Sequence, residues 1–370
     1  MEEITIFKGL FDLALWFCIY RVLLPAFKFP YRLKRSNRII GMFLILLFCL
    51  YPFWGGDYYH YRDSFEFIKS GGYNHFEDIY GWIITNLAYS YTFFRLIIWG
   101  SALTLLFLSY RRVGMNPDMT LYLFGVLFVI RFSYARVSLA MAIILLGLTF
   151  VYKPIKKFKV ISYILGLAII GSSIFFHRSA VIGIMAAIVT LFLMKNSRWK
   201  IIAIALLMPL ATFIVSYFLG SMLNMSFETY DASLDGKIEN YLTNTVSERG
   251  IAVKIQTFLM QTPMYLSALL CAILAIKNKI EEFTTVERAF AYYVFVIMLV
   301  SFGLSFGVGY ETSVLAHRTM YFAMPANAVF LMTVKTRKAY PQFFKIIYYF
   351  AFAASLYALL YSTYMGYNRM

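Results

Sequence analysis

Charge is what this chain has least of. Of its 370 residues only 14% are Asp, Glu, Lys or Arg, where soluble domains carry about 25%, and mean hydropathy is +0.70. So little charge leaves no surface for a sizeable soluble domain. Cysteine is also sparse. Cys18, Cys49 and Cys271 each sit in an apolar run without metal-ligand spacing, which argues against a disulfide framework or a zinc site and leaves them as small packing residues. Nothing resembles a P-loop, a GxGxxG turn, an HExxH motif or a serine nucleophile elbow. ATP-driven chemistry and serine hydrolysis therefore have no support, and no metal or cofactor is expected. The first residues, with Glu2, Glu3 and Asp12, lack the basic start of a cleavable leader, so the first apolar run is expected to be retained.

What the chain has instead is apolar sequence, 61% hydrophobic and 19% aromatic, in runs near the ~20 residues that span a bilayer as a helix. The runs are too continuous for the alternating strands of a barrel, and only helices or closed barrels satisfy the backbone in lipid. The expected fold class is all-α, a polytopic integral membrane protein. Most of the aromatic content belongs to interfacial belts and helix packing.

The few charges are ordered. Basic gaps (Lys28 to Arg38, Arg111-Arg112, Lys153 to Lys159, Lys195 to Lys200, Lys335 to Lys345) alternate with acidic or mixed ones (Gly55 to Asp78, Leu223 to Lys254). Lys and Arg resist translocation, so the basic gaps are expected in the cytoplasm. Those loops, which also attract anionic headgroups, account for the net charge of +16 without nucleic acid. Counting runs between gaps gives about twelve crossings in a single transmembrane domain over 1–370. Both ends are expected outside, with 55–78 and 223–254 as external segments.

Two stretches break the count. Ile79 to Tyr110 requires an odd number of crossings but is too short for three, so Ile79 to Ser90 is expected as an interfacial or re-entrant helix before a span from Phe93 to Tyr110. Asp118 to Tyr152 requires an even number but is short of the roughly 40 residues of two spans. It is expected as a helical hairpin bent in the outer half of the membrane, where irregular backbone survives only inside protein or beside water.

This topology places Asp57, Glu77, Asp78, Arg131, Arg136, His177, Arg178, His317 and Arg318 at or near the outer face. Most of them played no part in setting it. An intramembrane Arg costs about 2.5–3.5 kcal/mol on insertion scales and needs a partner or a wet cavity. Arg131 and Arg136 would face about 140° apart on a continuous helix, so both address one site only if the helix breaks between them. Each could pair with an acid such as Asp57 or Glu77, or capture an anion, since a guanidinium fork matches phosphate oxygens. His177 is either an interface residue at a helix start or a general base, and His317 beside Arg318 carries the same two readings. Arg95 reads as a snorkelling anchor. In Asp57-Tyr58-Tyr59-His60-Tyr61, aromatic rings beside an acid suit the C–H faces and hydroxyls of sugar.

Five short elements stand in order along the chain: Gly56-Asp57-Tyr58-Tyr59-His60-Tyr61 after the second span, Glu77-Asp78-Ile79-Tyr80, Arg136-Val137-Ser138-Leu139-Ala140, His177-Arg178-Ser179-Ala180 and Arg318-Thr319-Met320-Tyr321-Phe322. Together they resemble the EpsG family of bacterial exopolysaccharide proteins, which is similar to Wzy-type polymerases of O-antigen and capsule. Val137 stands where the family often has Gln, and Asp78-Ile79 where it often has Pro-Gly. The resemblance implies a glycosyltransferase of the GT-C-like, multi-helical membrane class, with short or re-entrant helices near the outer face of the bacterial inner (cytoplasmic) membrane and an active site facing the periplasm or exterior. It would move an oligosaccharide chain from undecaprenyl diphosphate to the non-reducing end of another lipid-linked repeat unit, metal-independent and inverting. On that reading His177 is the base with Asp57 as the alternative, and Arg136, Arg318 and Arg131 hold the diphosphate. Tyr61, Glu77 and His317 bind acceptor sugar. Expected partners are the lipid-linked oligosaccharides and membrane lipids, with a chain-length regulator within reach of the short cytoplasmic loops. A flippase or transporter of lipid-linked sugar and a polymer ligase remain the other readings. A membrane acyltransferase would want its His on the cytoplasmic side.

Overall fold

The computed structural model describes residues 6–28, 31–50, 56–73, 78–132, 137–194, 198–223, 251–306, 316 and 319–367. Every element among them is helical: α1 (Ile6–Leu23, continued by a 3-10 turn Leu24–Phe27), α2 (Arg35–Leu50), α3 (Gly56–Lys69), α4 (Asp78–Asn86), α5 (Tyr91–Val113), α6 (Pro117–Leu127), α7 (Val129–Phe132), α8 (Val137–Tyr152), α9 (Lys159–Ser172), α10 (Ala180–Leu193), α11 (Arg198–Leu223), α12 (Ile251–Ile276), α13 (Thr285–Ser305), α14 (Met324–Thr336) and α15 (Pro341–Tyr367). Gly9–Phe27, Tyr91–Val113, Phe258–Ile276, Thr285–Ser305 and Pro341–Tyr361 are long and apolar enough to cross a membrane, and α8 to α11 contain shorter apolar stretches. The chain is a helical, multi-pass membrane protein. The stretch expected as a short interfacial helix is α4, nine residues long. The segment 55–78, expected to be external, carries α3, whereas 224–250 lies outside the described residues.

Local sequence sets the ends of these helices. Ser90 caps α5 by accepting from Phe93 N–H at 3.2 Å, and Gly114 closes it at φ 100°, a left-handed position where a side chain would be strained. Asn116 caps α6 with Pro117 as its first residue. Thr284 and Glu287 form a capping box on α13.

Four of the basic gaps, those of Arg38, Arg112, Lys153 and Lys335, are tied together in one layer at one end of the bundle. Asp118, fully buried at the start of α6, takes Arg38 in a two-pronged pair (2.6 and 2.9 Å) and the Leu33 N–H at 3.0 Å. Arg112 reaches Thr149 Oγ1 and the Lys153 carbonyl. Lys335 sits 3.4 Å above the Phe27 ring, and Lys279 5.0 Å above Tyr340. Arg337 pairs with buried Glu287 at 2.9 Å. These contacts also put the charge-balanced stretch Lys277 to Arg288 in the same layer, a side that its charge alone leaves open.

The helices α6, α8 and α14 form the buried centre of the bundle, while α9 to α11 present Val160, Ile164, Phe192 and Leu206 outward. The central helices are short. Pro117 to Phe132, through α6 and α7, and Val137 to Tyr152, in α8, each rise roughly 24 Å, less than the ~30 Å hydrocarbon core. The broken end of the first limb, at the close of α6 and α7, therefore leaves orphan carbonyls. Side chains from α1, α5, α15 and the facing α8 cap them. Trp16 Nε1 donates to the Val126 carbonyl at 3.0 Å and Ser355 Oγ to the Leu127 carbonyl at 3.0 Å. Trp99 Nε1 and Ser138 Oγ both donate to the Phe132 carbonyl, at 3.4 and 2.5 Å. The hairpin expected from sequence is thus a broken helix and a second limb. Its limbs are spread apart, with α6 packed on α14, α1 and α15, and α8 on α9, α5 and α10.

Replacing Trp16 with Phe keeps most of the ring but leaves the Val126 carbonyl bare. The expected loss is about 1–3 kcal/mol, read as a lower unfolding temperature in detergent with helix content unchanged.

Candidate functional site

The site is built from the antiparallel pair α8 and α9. Gly147 and Gly166 let the two backbones touch. A Cβ on Gly147 would lie 2.8 Å from the Gly166 carbonyl oxygen, and one on Gly166 would lie 3.0 Å from that of Gly147. Small residues that admit such an approach are a usual means of helix association in lipid. Nearer the basic end, Ser162 Oγ donates to the Phe150 carbonyl at 3.1 Å. That register brings the far end of α9 to the start of α8, and the 3-10 turn Ser173–Phe175 packs there.

His177 follows this turn and is half-buried. The Ser179 N–H faces its Nδ1 at 3.2 Å, and Ser179 Oγ lies 2.6 Å away. A backbone N–H can only donate, so Nδ1 holds a lone pair and the neutral ring carries its proton on Nε2. His177 thereby caps the start of α10 through Nδ1, and its ring proton sits on Nε2.

Aromatic contacts join this turn to the early helices. Phe176 meets Tyr80 of α4 edge-on at 6.4 Å, and Tyr80 meets Phe94 of α5 at 6.1 Å. Phe65 of α3 packs on Tyr91 and Phe94. Lys69 Nζ donates to the Ile84 and Ala88 carbonyls, locking α3 onto α4. Tyr61 is half-buried on α3 against the core. On the other flank Gly183 of α10 is a junction, because a Cβ there would meet Ile144, Phe322 and the Tyr293 hydroxyl within 3.0 Å. Ser301 Oγ donates to the Ala316 carbonyl at 2.9 Å.

Of the residues expected from sequence, His177 and Tyr61 are placed with their side chains. Asp57 is the second residue of α3 and Arg131 the third of α7, both placed by backbone. Glu77, Arg136, His317 and Arg318 lie outside the described residues. Their described neighbours, Asp78 opening α4, Val137 opening α8, and Ala316 and Thr319, bound the elements just listed.

One expectation is corrected. Arg95 does not snorkel. It is 2% exposed, lies 4.1 Å above the Trp99 ring, and donates to the Tyr91 hydroxyl at 3.2 Å and to the Cys49 carbonyl at 2.5 Å. It caps α2, whose last carbonyls have no helical partner. Arg95 and Trp99 stand four apart on one helix face, a spacing that signals stacking. Asp12, 1% exposed inside α1, is a second buried charge that sequence reasoning passed over, although a lone acid in an apolar run is itself a signal.

The model of the EpsG family matches residues 34–369. The chain belongs to the EpsG family. These are Wzy-type polysaccharide polymerases, so membership carries a polysaccharide polymerase role, a glycosyltransferase-type activity. No curated protein and no solved structure matches the chain.

For this EpsG protein the cap and the donor can be separated. His177→Asn retains an acceptor for the Ser179 N–H but has nothing in place of Nε2–H. The expected result is an unchanged unfolding temperature with polymer formation down about 10²–10⁴-fold. Full activity in the variant would leave His177 only its capping role.

Proposed function

We propose that this EpsG protein polymerises undecaprenyl-diphosphate-linked repeat units, passing the growing chain to the non-reducing end of an incoming lipid-linked unit. The observation that carries the reading is the α8–α9 register. It brings the start of α8, one residue after Arg136, to the turn that bears His177. The first residue of α8 and the His177 turn lie together at this end of the bundle, and Arg136 directly precedes α8 in the sequence.

The chemistry assigns roles by charge. An acceptor hydroxyl attacks the anomeric carbon, the bond to the diphosphate oxygen breaks, and negative charge grows on that oxygen. Arg136 and Arg318, with Arg131 as accessory, hold the diphosphate, using guanidinium charge where other transferases use a metal. His177 Nε2–H suits the same leaving oxygen, which moves the base role to Asp57, the alternative from sequence. Tyr61, Glu77 and His317 orient acceptor sugar. The substrate carries its own activation in the glycosyl diphosphate bond, which fits a chain without a nucleotide motif. Direct displacement inverts the anomeric centre, and isolation of a glycosyl-enzyme intermediate would overturn that step.

We further propose the GT-C-like arrangement of about twelve crossings, with the His177 end facing away from the cytoplasm. The collection of four of the basic gaps in one opposite layer supports that orientation.

The test is a gel of products from purified protein and its cognate lipid-linked unit. A ladder spaced by one repeat, lost in Arg136→Ala at unchanged folding, is the expected outcome. A single unshifted band from folded wild type with verified substrate would overturn polymerisation and favour transport or terminal ligation.

A further inference from the structure

At the basic end, between the 31–38 stretch and the α5–α6 turn, lies a cavity of about 250 Å³ lined by Arg32, Arg38, Phe107, Arg111, Gly114 and Pro117. Three guanidinium groups border it, and they are not equivalent. Arg38 is neutralised by Asp118, and that carboxylate is already filled by Arg38 and the Leu33 N–H. Arg111 and Arg112 are adjacent, but Arg112 is tied to α8 through Thr149 and Lys153 and lies 4.0 Å over the Phe150 ring. Among the described residues, neither Arg32 nor Arg111 has a hydrogen-bond or ion-pair partner. Two uncompensated cations thus face one cavity.

Its other wall is apolar. Phe107 is shared with a seam between α2, α5 and α6 that includes Met42, Leu103 and Phe124. Beside that seam, Ile39, Ile40 and Phe43 of α2 and Leu108 of α5 project outward, each more than two-fifths exposed. Phosphate-binding charge at a membrane-edge level, continuous with an apolar helix face, matches a diacyl phosphodiester better than a free anion.

The geometry points to a binding site for an anionic phospholipid here. The phosphodiester lies between Arg32 and Arg111 and the acyl chains lie along α2 and α5. The site sits at the end of the bundle away from His177 and does not rest on the polymerase reading.

Native mass spectrometry of the purified full chain, titrated with phosphatidylglycerol or phosphatidylcholine, tests it. Wild type is expected to retain phosphatidylglycerol preferentially. Arg32→Gln with Arg111→Gln is expected to weaken that binding roughly thirtyfold, about fivefold for each charge. Lys156→Gln with Lys157→Gln removes the same charge from another exposed basic loop and should leave the preference intact. No preference in wild type, an equal loss in the lysine variant, or a preference that survives the arginine variant would each overturn the site. So would saturation by inorganic phosphate at concentrations where phosphatidylglycerol does not bind. A variant with a lowered unfolding temperature is replaced by its single-Gln components, for which the fivefold loss is the expected reading.

Discussion

The constraint on which this structure depends is that a carbonyl freed inside an apolar medium must find a donor. The central helices stop short of crossing, and their exposed backbone ends have no water to turn to. Trp16, Trp99, Ser138 and Ser355 supply the donors from four different helices. Arg95 does the same for the end of α2. Trp16, Trp99 and Ser355 tie three surrounding helices to the end of the first limb, and Ser138 ties the second limb to it. Irregular backbone held that firmly can carry polar side chains at a depth where a continuous helix would hide them.

The two ends of the bundle divide the work. At the basic end, charge pairs and cation–π contacts hold the turns together: Arg38 with Asp118, Arg337 with Glu287, Lys335 over Phe27. These are structural contacts between segments far apart in sequence. At the other end the contacts are aromatic and glycine-mediated, Phe176 on Tyr80 and the close approaches at Gly147, Gly166 and Gly183.

The candidate site was partly legible in the sequence. His177 stood out because a rare titratable group opened an apolar run, and Tyr61 because aromatics crowded an acid. The capping contact of His177 was not legible, since it turns on which ring nitrogen the Ser179 N–H occupies, a matter of ångströms. Arg95 was misread for a related reason. A long cationic side chain near a helix start can reach water or fold back, and only the neighbouring α2 terminus decides between them.

By itself the sequence determined the class: helices because of unbroken apolar runs, and a break in the Asp118–Tyr152 stretch because its length is wrong for two spans. Those are one-dimensional facts, set by composition and spacing against a bilayer of fixed thickness. Only the tertiary structure decided which helices become the buried centre, which side chains cap their broken ends, and that α8 and α9 meet in a register that brings the turn of His177 to the start of α8. Such pairings depend on shape at single contacts, Gly147 against Gly166 above all, and a glycine in a sequence does not name the backbone it will touch.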